Sequence, residues 1–389
     1  DKLVKGETIE GLKNYTMAEL TNDPSKTGEV PCVFLPVQQV NKDNVQELVV
    51  DSGFQSAEDV YRDVEAPAEG EAMGEPILVC QVTDTGGIND KSFNATAWKG
   101  VEQAKEELGA EGKYLESQQQ TDYDKNITQF IQEGCDLIVT VGFLLGDATA
   151  KYAGENPDVP FTIVDYAYDP TIPNVLGQVF NTDEAAFLAG YLAASQTESG
   201  VVGTWGGIAI PPVTIFMDGF LAGVNYHNEQ KGTDVQVLGW DGTDGLFINN
   251  FESAEDGKKA SASLADEGAD ILLPVAGPAG LGAAAVAQER GLKVIGVDSD
   301  WYDTAPEYQD ILLTSVLKNM NITVLEAAKM VQDGTFEGGV IVGTLNNGGV
   351  GLASLHNFED QVSDEVKAEL EALAGEVAAG NIKVSDYLK

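Results

Sequence analysis

The chain has 389 residues, enough for two or three domains or lobes around a sizeable core. Sixty-three acidic residues face 22 basic ones, only two of them arginines (Arg62 and Arg290), for a net charge of −41. Such a charge repels nucleic-acid backbones and anionic lipid headgroups, so it argues against both as partners and reads as a solvated acidic surface.

Residues 1–75 carry no regular alternation of apolar runs. They hold Pro24, Pro31, Pro36 and Pro67 and end in the acidic linker APAEGEAMGEP. Between them, KDNVQELVVDSGFQSAEDVYRDV has a short helical pattern, too little to make a core of its own. No apolar run in the chain reaches the roughly 20 residues that span a bilayer. The chain opens without a signal peptide, so an exported protein would be read here in its mature form.

From Pro76 the pattern changes. Short β-branched runs (PILVCQVTD, DLIVTVG, FTIVDYA, NVLGQVF, GVVGTWGG, VQVLGW, ADILLPVAG, KVIGVDSD, ILLTSV) alternate with amphipathic ones. The helical runs include NATAWKGVEQAKEELG, DKNITQFIQEG, GDATAKYAGEN, TDEAAFLAGYLAAS, VTIFMDGFLAGVNYHNE, AEDGKKASASLADEG and GLGAAAVAQERG. Nearly continuous apolar strands between helices predict an α/β fold with parallel sheets covered on both faces. The run VSDEVKAELEALAGEVAAGNIKV predicts a terminal helix, with Ser363 as its N-cap and Asp364 and Glu365 in the first turn.

Strand after strand ends in a small or acidic residue: Asp84, Gly142, Asp165, Gly277 and Asp298. Ligands of open α/β sheets bind beyond the carboxyl ends of the strands, so these positions predict a ring around one cleft. The loop VTDTGGINDKSFNATAWKG lacks both G-x-G-x-x-G and G-x-x-x-x-G-K-[ST] spacing and would aim Asp84 and Asp90 at any phosphate. A catalytic reading lacks a base for Ser92: His227 and His356 are the only histidines and neither lies near a cysteine, which also argues against a histidine metal site. Carboxylates beside an aromatic ring suit a ligand with hydroxyls and a flat ring, while Asp90 and Lys91 read as capping and pairing within the loop. Cys32, Cys80 and Cys135 show no metal-ligand spacing and no even disulfide set; Cys80 and Cys135 read as small core residues at strand edges.

The stretch VTDTGGINDKSFNATAWKGVEQA resembles the signature of the basic membrane protein family of ABC-transporter substrate-binding lipoproteins, whose studied members bind purine nucleosides. The resemblance continues through GCDLIVTVGFLLGDA, FNTDEAAFLAGYLAA, VVGTWGGIAIP, ADILLPVAGPAGLG, VIGVDSDWYDTAPE, LTSVLKNM and GTLNNGGVGLAS, covering residues 76–389 in order. It implies a type I periplasmic-binding-protein fold of two lobes, residues 76–180 with about 302–340 and residues 181–301 with about 341–389, joined by a three-stranded hinge. It implies an extracytoplasmic, non-enzymatic monomer that hands a nucleoside to an ABC permease, needs no cofactor or metal, and meets the membrane only through a lipid anchor. A sugar or other small polar ligand is the alternative, and a nucleoside hydrolase a further one.

Carried over by motif, Asp84 reaches the ligand from the first strand end, Phe93 stacks on the base and Asn94 hydrogen-bonds beside it. Asp165 accepts from the base or holds the cleft floor, Gly277 lets the backbone approach, and Asp298 and Lys318 share the ribose. Phe143 reads equally as core or ligand contact. Trp301 stands where many relatives carry glutamine and either adds an aromatic face or lines the lip. The second stacking ring stays open among Trp205, Phe216 and Trp301. Residues 29–64 resemble the carboxyl-terminal tail of monosaccharide-binding proteins of the same superfamily, a fused remnant by this reading. A chain lacking residues 1–74 should therefore keep its circular-dichroism spectrum and its ligand affinity; a large loss of either would refute dispensability.

Overall fold

The computed structural model describes residues 76–388 and, before them, the backbone of two short strands. These are β1 (Lys13–Thr16) and β2 (Glu29–Cys32), paired antiparallel within a unit spanning Asp1–Ala72. The rest of the segment resembling a sugar-binding tail lies outside the described residues. A second unit, Met73–Lys389, carries the α/β pattern.

Five strands follow in order: β3 (Leu78–Val82), β4 (Glu111–Leu115), β5 (Leu137–Val141), β6 (Phe161–Val164) and β7 (Val175–Phe180). Helices α1 (Phe93–Leu108), α2 (Asp122–Glu133) and α3 (Gly146–Glu155) connect them. After α4 (Thr182–Gln196) come β8 (Val201–Gly206), α5 (Pro211–Lys231), β9 (Gln236–Leu238) and α6 (Ala254–Asp266). Then come β10 (Ile271–Val275), α7 (Leu281–Arg290), β11 (Lys293–Asp298), the short α8 (Trp301–Thr304) and β12 (Leu312–Lys318). The chain ends through α9 (Met320–Gln332), β13 (Gly339–Gly343), β14 (Val350–Leu352) and α10 (Asp364–Ala378). Ser363 caps α10 as its sequence position predicts, accepting from the Val366 N–H.

Two six-stranded sheets result, ordered β13-β7-β6-β5-β3-β4 and β14-β12-β11-β10-β8-β9. Every pair is parallel except β12 with β14. The wholly buried β5 and β10 explain why LIVTV and ILLPV have no polar face: helices cover both sides. The fold is thus α/β with two parallel-sheet lobes, of the type I periplasmic-binding-protein kind. The chain passes between lobes three times, after Phe180, after Lys318 and after Gly343, and backbone hydrogen bonds tie these passages together. Asn181 N–H donates to the Gly343 carbonyl at 2.8 Å and Asn319 N–H to that of Gly349 at 2.9 Å. This corrects the lobe boundaries expected from sequence. Residues 302–318 belong with the second sheet because β12 pairs with β11, and the first lobe reclaims the chain only at α9, which packs on α1. The sheet a strand joins is decided by remote hydrogen-bond partners, which its own apolar run does not encode.

The second lobe rests on α4 and α5. Helix α4 is buried on nearly every side, in keeping with its almost unbroken apolar sequence. Its backbone touches that of α5 through Gly190 and Gly223, where an added Cβ would come within 2.1 Å of the Phe220 carbonyl and 2.0 Å of the Phe187 carbonyl.

The cysteines also depart from expectation. Cys80, in the middle of β3, and Cys135, just before the neighbouring β5, form a disulfide with Cα atoms 6.1 Å apart. An odd cysteine count conceals one pair plus one remainder, and parallel pairing brings together two residues 55 apart in sequence. Replacing both by alanine should destabilise the protein by about 2–4 kcal/mol, through the loop closure the bond supplies to the unfolded chain. Urea melts of the double variant, and of the parent with and without reductant, measure this; coincident midpoints would refute it.

Candidate functional site

The carboxyl ends of both sheets face one cleft. The five strand-end residues picked out by sequence, Asp84, Gly142, Asp165, Gly277 and Asp298, all line it, as do Phe93, Phe143 and Lys318. Asp165 and Asp298 each have φ of +68°, a left-handed conformation that aspartate tolerates better than most residues. There the chain turns sharply out of β6 and β11.

The loop from β3 to α1 builds the first wall. Gly87, at φ +73°, makes the turn. Asp90 then binds the start of α1 with both oxygens: one accepts from the Ser92 and Ala95 N–H groups at 3.1 and 3.0 Å, the other from the Asn94 N–H at 2.7 Å and its side-chain amide at 3.1 Å. A carboxylate on these otherwise unpaired donors fixes the helix end and starts α1 with Phe93 at the cleft.

Asn94 itself is not on the wall. It is buried behind it, donating to Asp84 Oδ1 at 2.7 Å and accepting from the Asp84 N–H at 3.3 Å. The expected ligand contact is thus a support for Asp84, because the first turn of α1 rotates Asn94 inward when Phe93 faces the cleft. Asp84 Oδ1 also accepts from the Gly86 N–H, whereas its Oδ2 has no partner among the described residues. Gly142 leaves room beside that free oxygen.

Across the cleft, Lys318 leaves the end of β12 with its side chain 2% exposed and its ammonium on both oxygens of Asp165, 2.6 Å from Oδ2. Three rings surround the ammonium, Phe93, Phe180 and Phe216, with centroids 5.1, 5.3 and 5.7 Å away. Asp298 accepts from the Ser92 hydroxyl at 2.9 Å through Oδ2 and keeps Oδ1 without a partner among the described residues. The two unpaired oxygens, Asp84 Oδ2 and Asp298 Oδ1, are acceptors ready for ligand donors.

All three candidate rings are buried, and they differ in what they border. Phe216 lines the cleft. Trp205 is packed in the core with its indole N–H on Ser261 Oγ at 2.9 Å. Trp301, expected near the ligand, is also core: its N–H donates to the Val297 carbonyl at 3.0 Å and its ring lies over Gly296 and Gly280. The absence of side chains at those glycines pulls the indole under β11 rather than out to the lip. Phe251 lines the cleft from the loop before α6, and sequence reasoning missed it because it ends no strand.

Burial dominates the electrostatics. It pushes Asp84 up to about 6 and Asp90 up to about 7, against the hydrogen bonds each receives. It also raises Asp165 and Asp298, with the Lys318 ammonium pulling both back. Loop 84–92 reaches the second lobe as well: Lys91 pairs with Glu307 at 3.0 Å, the Lys91 carbonyl accepts from Ser299 Oγ at 2.9 Å, and Thr85 donates to Glu252. The two lobes therefore meet across the mouth of the cleft.

A family model described as ABC transporter substrate-binding protein PnrA-like matches residues 77–385. The CD4+ T-cell-stimulating antigen of Listeria monocytogenes is 32% identical over 327 residues, covering 79% of this chain and 88% of that protein. The ABC transporter nucleoside-binding protein BmpA of Lactococcus lactis is 32% identical over 316 residues, covering 76% and 87%. A crystal structure of ABC transporter system solute-binding proteins from Aeropyrum pernix K1 superimposes with a TM-score of 0.71 at 28% identity, covering 79% of this chain and 93% of that one.

The Asp84 carboxyl makes a pH-dependent contribution with a definite sign. Because its folded value of about 6 exceeds the ordinary 3.8, the stability it lends at acid pH is lost as pH rises from about 4 through 6. Asp84→Asn keeps an oxygen for Asn94 and Gly86 but does not titrate. Its melting temperature relative to the parent should climb across that window and level off above it, with a limiting gain of up to about 3 kcal/mol. Parallel melting curves from pH 4 to 8 would refute the assignment.

Proposed function

The chain belongs to the PnrA-like family of ABC transporter substrate-binding proteins, and from that premise we propose that its ligand is a purine nucleoside, held in the interlobe cleft and delivered to a permease. The observation that carries this reading is the pairing of two aromatic faces, Phe93 and Phe216, with the unpaired oxygens Asp84 Oδ2 and Asp298 Oδ1. A flat base between rings gains stacking and area burial, and its N–H groups meet Asp84. Ribose hydroxyls both donate and accept, so they suit Asp298 beside Lys318.

Charge narrows the ligand class. Lys318 is the one cation lining the cleft among the described residues, and Asp165 already holds it. A phosphate would face Asp84, Asp90 and Asp298 with no free counter-charge, so the site suits an uncharged nucleoside and disfavours its monophosphate. The nucleoside-binding relative from Lactococcus lactis supports the same class.

Binding needs no catalysis: closing the lobes on the ligand produces the shape a permease reads. The protein acts as an extracytoplasmic monomer in this proposal. The buried disulfide fits an oxidising compartment, and no helix among the described residues is long and apolar enough to cross a membrane.

A thermal-shift series with inosine, guanosine, adenosine, free bases, monosaccharides and nucleoside monophosphates tests the proposal. Nucleosides at a hundred times their Kd should add about 2.7 kcal/mol of stability, while monophosphates at equal concentration add much less. Phe93→Ala should weaken nucleoside binding by about 0.5–1.5 kcal/mol or more. Stabilisation by monosaccharides alone would overturn the nucleoside reading, and release of free base from inosine would make the protein a hydrolase instead.

A further inference from the structure

Beyond Lys318 the cleft does not end. A second compartment, open to solvent, lies on the hinge side and shares Phe143, Asp165, Pro212 and Lys318 with the first. Its character is different. The first compartment offers unpaired carboxylate oxygens; the second is walled by Phe143, Tyr166, Phe180, Pro211, Pro212 and Ile215. Phe143 and Tyr166 lean together at 5.1 Å between centroids, making a continuous aromatic side. Two prolines at the start of α5 remove the backbone donors a helix would otherwise present there. The Asp165–Lys318 pair stands at the boundary, each charge satisfied by the other. Thr182, at the start of α4, also lines this space, and its hydroxyl is buried with no hydrogen-bond partner.

We propose that this compartment receives an uncharged, apolar substituent carried on the sugar end of the ligand, so that the protein takes nucleosides extended at the 5′ position by an alkylthio or similar group. The inference rests on the nucleoside reading above, with the ribose at Asp298 and Lys318. In this proposal the ribose turns its 5′ carbon toward the Asp165–Lys318 boundary, so that what is attached there continues into the aromatic compartment. A charged extension gains nothing: Lys318 is occupied and the remaining walls are apolar. An apolar one leaves water for ring and proline surface. Occupation of the compartment is an added affinity, not a condition of binding, because the base and ribose contacts lie wholly in the first compartment.

Isothermal titration of the full chain with adenosine, 5′-methylthioadenosine and 5′-propylthioadenosine tests this. Affinity should rise about two- to fourfold for each methylene that enters the compartment. Two separate plugs serve as controls, Ile215→Trp on α5 and Ala167→Trp on the loop after β6, at residues that line only the second compartment. Each should leave adenosine affinity unchanged and reduce that of the propylthio derivative tenfold or more. Rejection of both thioethers by a protein that binds adenosine overturns the inference alone, as does propylthio binding that neither plug disturbs. No heat with any nucleoside overturns the reading beneath it.

Discussion

The site is organised by one buried ion pair. Lys318 comes from the last strand of the second lobe before the chain crosses back, and Asp165 from a strand end of the first. Taking both charges out of water is costly, and removing one partner of such a pair typically costs about 3–5 kcal/mol because the other is left uncompensated. Contact with both carboxylate oxygens and the faces of Phe93, Phe180 and Phe216 offset that desolvation. The pair couples the lobes where they meet the ligand space. It also uses the one positive charge lining the cleft among the described residues, leaving the other carboxylates of the cleft without a counter-charge.

Around this pair the protein uses buried polar groups as scaffolding. Asp90 ties down the start of α1 and Asn94 spans Asp90 and Asp84, so the Phe93 ring and the Asp84 carboxylate are set by the same few hydrogen bonds. Asp84 Oδ2 is therefore an acceptor whose direction is already fixed, the kind of group that costs little ordering to engage. The raised Asp84 and Asp90 carboxyls show what that arrangement costs: charge is held where water is scarce, and the hydrogen bonds each receives offset only part of the burial. The same loop bears the contacts to Glu252, Ser299 and Glu307. One wall of the cleft and the lobe contact are thus built on one short segment.

The alternation of apolar runs and helical patterns from Pro76 onward, read along the chain alone, determined the α/β class, nine of the twelve strands of the two sheets (all but β4, β13 and β14) and the five strand-end residues around the cleft. Those features are local: a strand needs a run of β-branched residues, and a parallel sheet places all its strand ends on one side. The motif resemblance determined the family and the two-lobed plan for the same reason, since both are carried by residues in order. Polar or short elements were less legible; β4 reads EGKYL, with Glu111, Lys113 and Tyr114 exposed and no residue fully buried, so no apolar run marks it.

Tertiary structure alone decided the rest. Asn94 and Trp301 carry chemistry that suits a ligand, yet one turn of α1 and the bare backbone of Gly280 and Gly296 send them inward. Phe216 was one of three candidates, all equally buried, until its position on the cleft set it apart, and Phe251 gave no signal because its loop has no periodicity. The Cys80–Cys135 bond and the placement of β12 depended on which strands became neighbours. Side-chain direction and strand partnership arise from contacts between residues far apart in the chain, and no local pattern records them.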